Sequence, residues 1–220
     1  MTTTIKSILV LGGTGRTGQH IIEQALKHGL RVTALARNPD KLNKWADNAN
    51  LEILKGDVSR FPDVYNAVQG NDAIVSALGR DGRNLDAITK GTENIITAVQ
   101  KSEIKKTICL SSFGAGSTHP YSDWILKLIV HLSGLSSAFQ AKAHQELLLY
   151  KSKINFTLVM AGTLADQTHA NGCFAYSTNN LPHINGLPDK IERVAVAKFM
   201  LEQLDSTHWV RNTVCLLAER

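Results

Sequence analysis

Gly12, Gly15 and Gly18 recur every third position in the stretch KSILVLGGTGRTGQHIIEQAL, residues 6 to 26, and Gly13, Gly15 and Gly18 also satisfy G-x-G-x-x-G. Either spacing suits a turn that must bring bare backbone close to a phosphate. In a strand-turn-helix the first glycine permits the tight turn, the second lets backbone approach a pyrophosphate, and the third lets the helix pack against the sheet. Thr14, Arg16 and Thr17 stand between the glycines. The free N–H groups where the helix starts, at Thr17, would meet the phosphate charge with the positive end of the helix dipole behind them. A tight turn without a ligand is the alternative; a buried strand before the loop and an amphipathic helix after it favour dinucleotide binding.

The type of dinucleotide depends on the end of the second strand, about 20 residues on, where an acidic residue would bond the ribose hydroxyls of NAD. Arg37 stands there instead. A guanidinium matches the oxygens of a 2′-phosphate bidentately and keeps its charge, so NADP(H) is the expected cofactor. Arg16, inside the glycine loop, would add a second cation to the same pocket unless both arginines are solvated surface charges.

The elements that must hold these residues follow from the apolar pattern. Ile8 to Leu11 is a continuous apolar run, as in a strand buried on both faces of a parallel sheet. From Thr17, Ile21, Ile22, Ala25 and Leu26 recur at helical spacing until Gly29. Residues 30–36 predict a second strand, a helix starts near Pro39, and 51–54 predict a third strand. The alternation continues with a helix at 62–68, a strand at 73–78, a helix at 85–101 and a strand at 107–110. A helical region over 120–153, broken near Ser133 and Gly134, leads to a strand at 156–160. Loops with at most a short hairpin fill 166–188, before a helix at 191–204 and a strand at 213–217. Such alternation implies parallel strands joined by right-handed crossovers. The expected architecture is α/β: one Rossmann-type, doubly wound domain over residues 1–220, its sheet mostly parallel.

Composition narrows the function. With 220 residues, 43% hydrophobic and 20% charged, the chain suits one well-buried domain. Cys109, Cys173 and Cys215 lie too far apart for a disulfide framework, and the eight histidines show no metal-ligand spacing, so no metal is expected. The net charge of +5 is scattered and lacks interleaved aromatics, which argues against a nucleic-acid partner. No run reaches the ~18 apolar residues of a membrane span, and no secretory signal opens the chain, so a cytoplasmic protein without a membrane partner is expected. The segment DWILKLIVHLSGL, residues 123–135, is apolar on most sides. It predicts a buried helix, or one that covers an acceptor or meets another subunit; monomer and homodimer both stay open.

The blocks GGTGRTG, ARNPDKL, KGDVSR, DAIVSALG, TICLSSFG and NFTLVMAGTLADQ together resemble the atypical short-chain dehydrogenase/reductase group that includes biliverdin-IXβ reductase (flavin reductase) and NmrA-like proteins. The resemblance covers nearly the whole chain. It implies that Asp57 and Val58 flank the adenine, that Ala77, Leu78, Gly79 and Arg80 line the path to the nicotinamide, and that Ser111, Ser112 and Leu164 surround it. Two departures stand out. Carbonyl-reducing relatives carry Tyr-x-x-x-Lys, whereas Lys142 here has Ala138 four residues before it, and Tyr150 is out of register. Thr163 replaces the histidine that the biliverdin-IXβ reductase-like pattern has after the sixth strand.

Hydride transfer between planar conjugated systems asks little of a protein beyond stacking the acceptor on the nicotinamide, and solvent can supply the proton. The expected activity is therefore an NADPH-dependent reductase of a flavin, tetrapyrrole or quinone. Its candidate catalytic residue is Ser112, as a hydroxyl on the nicotinamide amide or the acceptor, or else a satisfied hydroxyl at a strand end. Phe113, Trp124 and Leu164 are candidates for the apolar platform, with the acceptor site near 112–136 and 161–188. An NmrA-like sensor of NADP(H) without turnover is the alternative, and a nucleotide-sugar epimerase is disfavoured by the missing tyrosine.

Overall fold

Strand β1 (Ser7–Leu11) is buried along its whole length, and its side chains alternate between the two faces of a sheet. Ile8 and Val10 pack with Ile21, Ile22 and Met200 on one face. Leu9 and Leu11 pack with Val64, Ile95, Leu149 and Phe156 on the other. This double burial explains why the run is apolar throughout. The computed structural model describes residues 4–80, 84–167, 173–182 and 184–218.

Eight strands form the main sheet among the described residues, in the order β3-β2-β1-β4-β5-β6-β10-β8. Besides β1 they are β2 (Arg31–Ala36), β3 (Leu51–Lys55), β4 (Ala73–Ser76), β5 (Lys106–Ser112), β6 (Phe156–Ala161), β8 (Cys173–Ser177) and β10 (Asn212–Ala218). A separate pair, β7 (Thr163–Ala165) and β9 (Lys190–Glu192), runs parallel at the crevice end. The ladders of the main sheet are parallel except the last, in which β8 runs antiparallel to β10 with Cys215 opposite Tyr176. Helices α1 (Arg16–Lys27) and α6 (Arg193–Glu202) cover one face; α2 (Phe61–Ala67), α3 (Thr89–Gln100) and α5 (Ser136–Lys151) cover the other. The strand order reverses between β1 and β4, which makes the crevice at the carboxyl ends of these strands the expected ligand site.

The helix expected from Pro39 is present, and its type is new; three further local expectations need correction. Residues Pro39–Trp45 form a 3-10 helix, closed by Ala46 N–H on Asn43 O; Asn38 Oδ1 caps its start by accepting from Asp40 N–H. Helix α3 begins at Thr89 and not near 85, because Asn84 Oδ1 accepts from Asp86 N–H and turns the chain first. The segment 166–188 holds no local hairpin among its described residues: β8 finds its partner in β10 instead. Finally, α4 (Trp124–Leu132) buries Leu126 alone of its nine residues. It leans on Phe113, Cys215 and Leu217 by one line of contact, leaving Trp124, Leu128, Ile129 and Leu132 exposed.

Candidate functional site

The loop between β1 and α1 shows why its glycines are required. Gly12 has φ +78, and a Cβ there would lie 2.6 Å from Ala77 O; a Cβ on Gly18 would lie 2.1 Å from Gly12 O. Both values are well inside van der Waals contact, so the loop closes only on bare backbone. Gly15 N–H donates to Gly12 O at 3.0 Å, and no side chain caps the start of α1, whose first turn has no acidic residue. The N–H groups in the first turn of α1 stand ready for an anion.

Beside the loop runs a crevice of about 300 Å³. Gly12, Thr14 and Gly15 form its floor, Ala77, Leu78, Gly79 and Arg80 one wall, and Leu35, Arg37, Lys41, Gly56 and Val58 the other. Nine of the residues expected to hold the cofactor thus converge. Lys41, Leu35 and Ala87 also line the crevice, though the sequence did not single them out. Lys41 has a sequence signal: Pro39 turns the chain back over the end of β2, which brings a lysine four positions after Arg37 into the same wall.

Arg16 does not join Arg37. It is absent from the lining of the crevice and pairs with Asp166 Oδ2 at 3.2 Å, while Arg193 donates to Asp166 Oδ1 at 2.7 Å. Burial opposes ionisation at Asp166, but Arg193 and then Arg16 hold its carboxyl below the ordinary value. One carboxylate therefore links the first residue of α1, the end of β7 and the first residue of α6. The expectation of two arginines in one pocket gives way to Arg37 with Lys41.

Asp57 is occupied locally. Its Oδ1 accepts from Ser59 N–H and Ser59 Oγ, both at 2.8 Å. Burial pushes its carboxyl up, but these two bonds, with Arg37 and Arg60, bring the net shift down. Thr17 and Gly18 are buried behind the loop.

Ser111 and Ser112, at the carboxyl end of β5, do not line this crevice: Ser111 is buried with no hydrogen-bond partner for its hydroxyl among the described residues, and Ser112 is half-buried. Leu164 on β7 is half-buried, and Thr163 beside it is exposed. Phe113 is 3% exposed and packs with Leu126 and Leu217 in the core, whereas Trp124 is 69% exposed at the start of α4. The structure does not bring these two rings together. Of the segments expected around an acceptor, residues 168–172 and 183 lie outside the described residues.

Lys142, on α5, is 7% exposed. Its ammonium donates to Leu110 O at 2.7 Å, Leu78 O at 2.8 Å and Gln145 Oε1 at 3.3 Å. Chain leaving β4 and chain within β5 are thereby clasped where the sheet ladder between them has ended. Burial without a carboxylate lowers this lysine from its ordinary 10.5 to about 8.

Comparisons with known proteins bear on the family and the fold. Residues 12–207 match the model of a family described as NAD(P)H-binding. An uncharacterised chloroplastic protein of Arabidopsis thaliana is 30% identical over 209 residues, which cover 90% of this chain and 73% of that one. Among solved structures, a short-chain dehydrogenase/reductase from Veillonella parvula in complex with NADP superposes with a TM-score of 0.82 at 16% identity, covering 97% of this chain and 94% of that one. ChuY, an anaerobilin reductase from Escherichia coli O157:H7, superposes with a TM-score of 0.79 at 20% identity and 96% coverage of both chains. These two likenesses concern the fold. No helix among the described residues is long and apolar enough to cross a membrane. The glycine cradle, the crevice beside it and the match over most of the sequence lead to one conclusion: this chain belongs to the NAD(P)H-binding family.

Proposed function

We propose that the protein is an NADPH-dependent reductase that passes hydride to a flavin or similar conjugated acceptor, a tetrapyrrole included. The observation that carries this reading is Lys142. Its donors are engaged with Leu78 O, Leu110 O and Gln145, and Ala138 stands where a phenol would have to be. Among the described residues no tyrosine-lysine acid is assembled at the strand ends, which favours a reaction that takes its proton from solvent. Conjugated acceptors meet that condition. NADPH, when bound, supplies the hydride; the chain supplies placement. The N–H groups of the glycine loop bind the pyrophosphate, Arg37 and Lys41 bind the 2′-phosphate, and Ser112 hydrogen-bonds the carboxamide or the acceptor. ChuY, which shares the fold, is an anaerobilin reductase, and that activity is consistent with this class of chemistry.

Following NADPH absorbance with FMN, FAD, quinones and biliverdin isomers tests the activity. Oxidation well above background with at least one acceptor is expected; tight NADPH binding with no oxidation by any would replace the reductase by a redox sensor.

Cofactor choice gives a second test. NADPH should bind at least about tenfold more tightly than NADH, because two cations face the extra phosphate. The double variant Arg37→Gln/Lys41→Gln should bring the two within about threefold, mainly by weakening NADPH. Equal affinities in the wild type would overturn the assignment of that wall to a phosphate.

A further inference from the structure

A second cavity, of about 480 Å³, opens between the chain at 114–122, α4 and α5. Leu126, Val130 and Phe139 make it apolar on two sides, and the titratable side chains lining it are all basic: His119, Lys127 and His131. Among the described residues these three make no side-chain ion pair or hydrogen bond. Two carboxylates on the elements around the cavity are engaged by other groups. Glu146, beneath Gly116, accepts from Ser117 N–H, Ser117 Oγ and Thr213 Oγ1. Asp123, ahead of α4, accepts from Gly186 N–H at 2.6 Å. A concave apolar wall rimmed by basic side chains, the Lys127 ammonium among them, favours a ligand that combines an apolar stem with negative charge.

We infer that this cavity takes an acidic arm, carboxylate or phosphate, of the molecule that is reduced. The inference rests on the reductase reading. Gly114, on the cavity wall, follows Ser112 by two residues, a span of at most about 7 Å. An acceptor whose ring lies at Ser112 therefore has the cavity within reach of a short side arm. Its apolar stem would lie against Leu126 and Phe139, and its acid would meet Lys127 and His131.

Titration of the whole chain at pH 7 with FMN against riboflavin, and with biliverdin against its dimethyl ester, reads arm binding without requiring turnover. The acidic member of at least one pair should bind about tenfold more tightly than its partner. A preference within the FMN pair alone assigns the arm to phosphate, and within the biliverdin pair alone to carboxylate; either supports the site. Lys127→Gln/His131→Gln, at two exposed positions, should reduce the preference to about twofold while NADPH affinity stays at the wild-type value. Equal affinity within both pairs, binding of none of the four, or a preference that survives the double substitution overturns the inference. NADPH oxidation in the same samples separates this result from the proposed function: acid preference without oxidation sinks the reductase alone, and oxidation without acid preference sinks the site alone.

Discussion

Gly18→Ala is expected to weaken NADPH binding by at least about 100-fold, the loss of two charge-assisted amide bonds to the pyrophosphate. The added Cβ would stand 2.1 Å from Gly12 O and 2.8 Å from both Gly12 C and Gly13 Cα. All three are backbone atoms in the turn that aims the N–H groups, so nothing can rotate aside and the loop itself must open. Gly29→Ala supplies the control. That glycine has φ +74 but no neighbour within 4 Å of an added Cβ. It should lower stability through backbone strain of about 1 kcal/mol and leave affinity unchanged. Isothermal titration of both variants decides the matter. Gly18→Ala binding within about threefold of wild type would show that the cradle is not the pyrophosphate site.

Lys142→Met is expected to change how stability depends on pH. Folding lowers this lysine from 10.5 to about 8 through burial. Below pH 8 the folded protein must keep a buried charge that the unfolded chain holds freely in water. Between pH 8 and 10.5 the unfolded chain binds more protons, so stability rises with pH across that window. The interval is worth about 3 kcal/mol at most. Cys109, pushed up to about 12 by burial, acts in the opposite direction above its ordinary 9.0, since only the unfolded thiol ionises there. The comparison must therefore be differential. The free energy of unfolding of wild type minus that of Lys142→Met should climb from pH 8 to 10.5, because the variant shares the thiol and lacks the amine. A flat difference would mean that the ammonium is solvated and is not the clasp between Leu78 O and Leu110 O.

The sequence contained the frame of the crevice because its signals are local. A buried strand, three spaced glycines and an amphipathic helix lie within twenty-one residues, and each residue from Ala77 to Arg80 is placed simply by following a strand's carboxyl end. What stayed hidden depends on distant partners. The direction of Arg16 is fixed by Asp166, 150 positions later, and by Arg193 beyond it; no neighbouring residue betrays that choice. The pairing of β8 with β10 is likewise non-local, and its short, half-exposed strand has no strong alternation to announce it. Trp124 and Phe113 are both large aromatics, yet one is exposed and the other core, because burial depends on which side of a short helix or strand end meets the sheet. Lys142 was visible as an orphan of a familiar pair; its work on two carbonyls was not.

The direction of β10 has a practical side. It runs parallel to β6, so the main chain leaves the sheet at Ala218 on the rim where the glycine loop and Ser112 stand, whereas it enters β1 at Ser7 on the opposite rim. A peptide that follows β10 starts on the rim of the proposed ligand site and would compete there for room. One joined ahead of the first strand is held away by the height of the sheet, about 17 Å for five residues. An added peptide or surface tether is therefore better placed ahead of β1 than after β10.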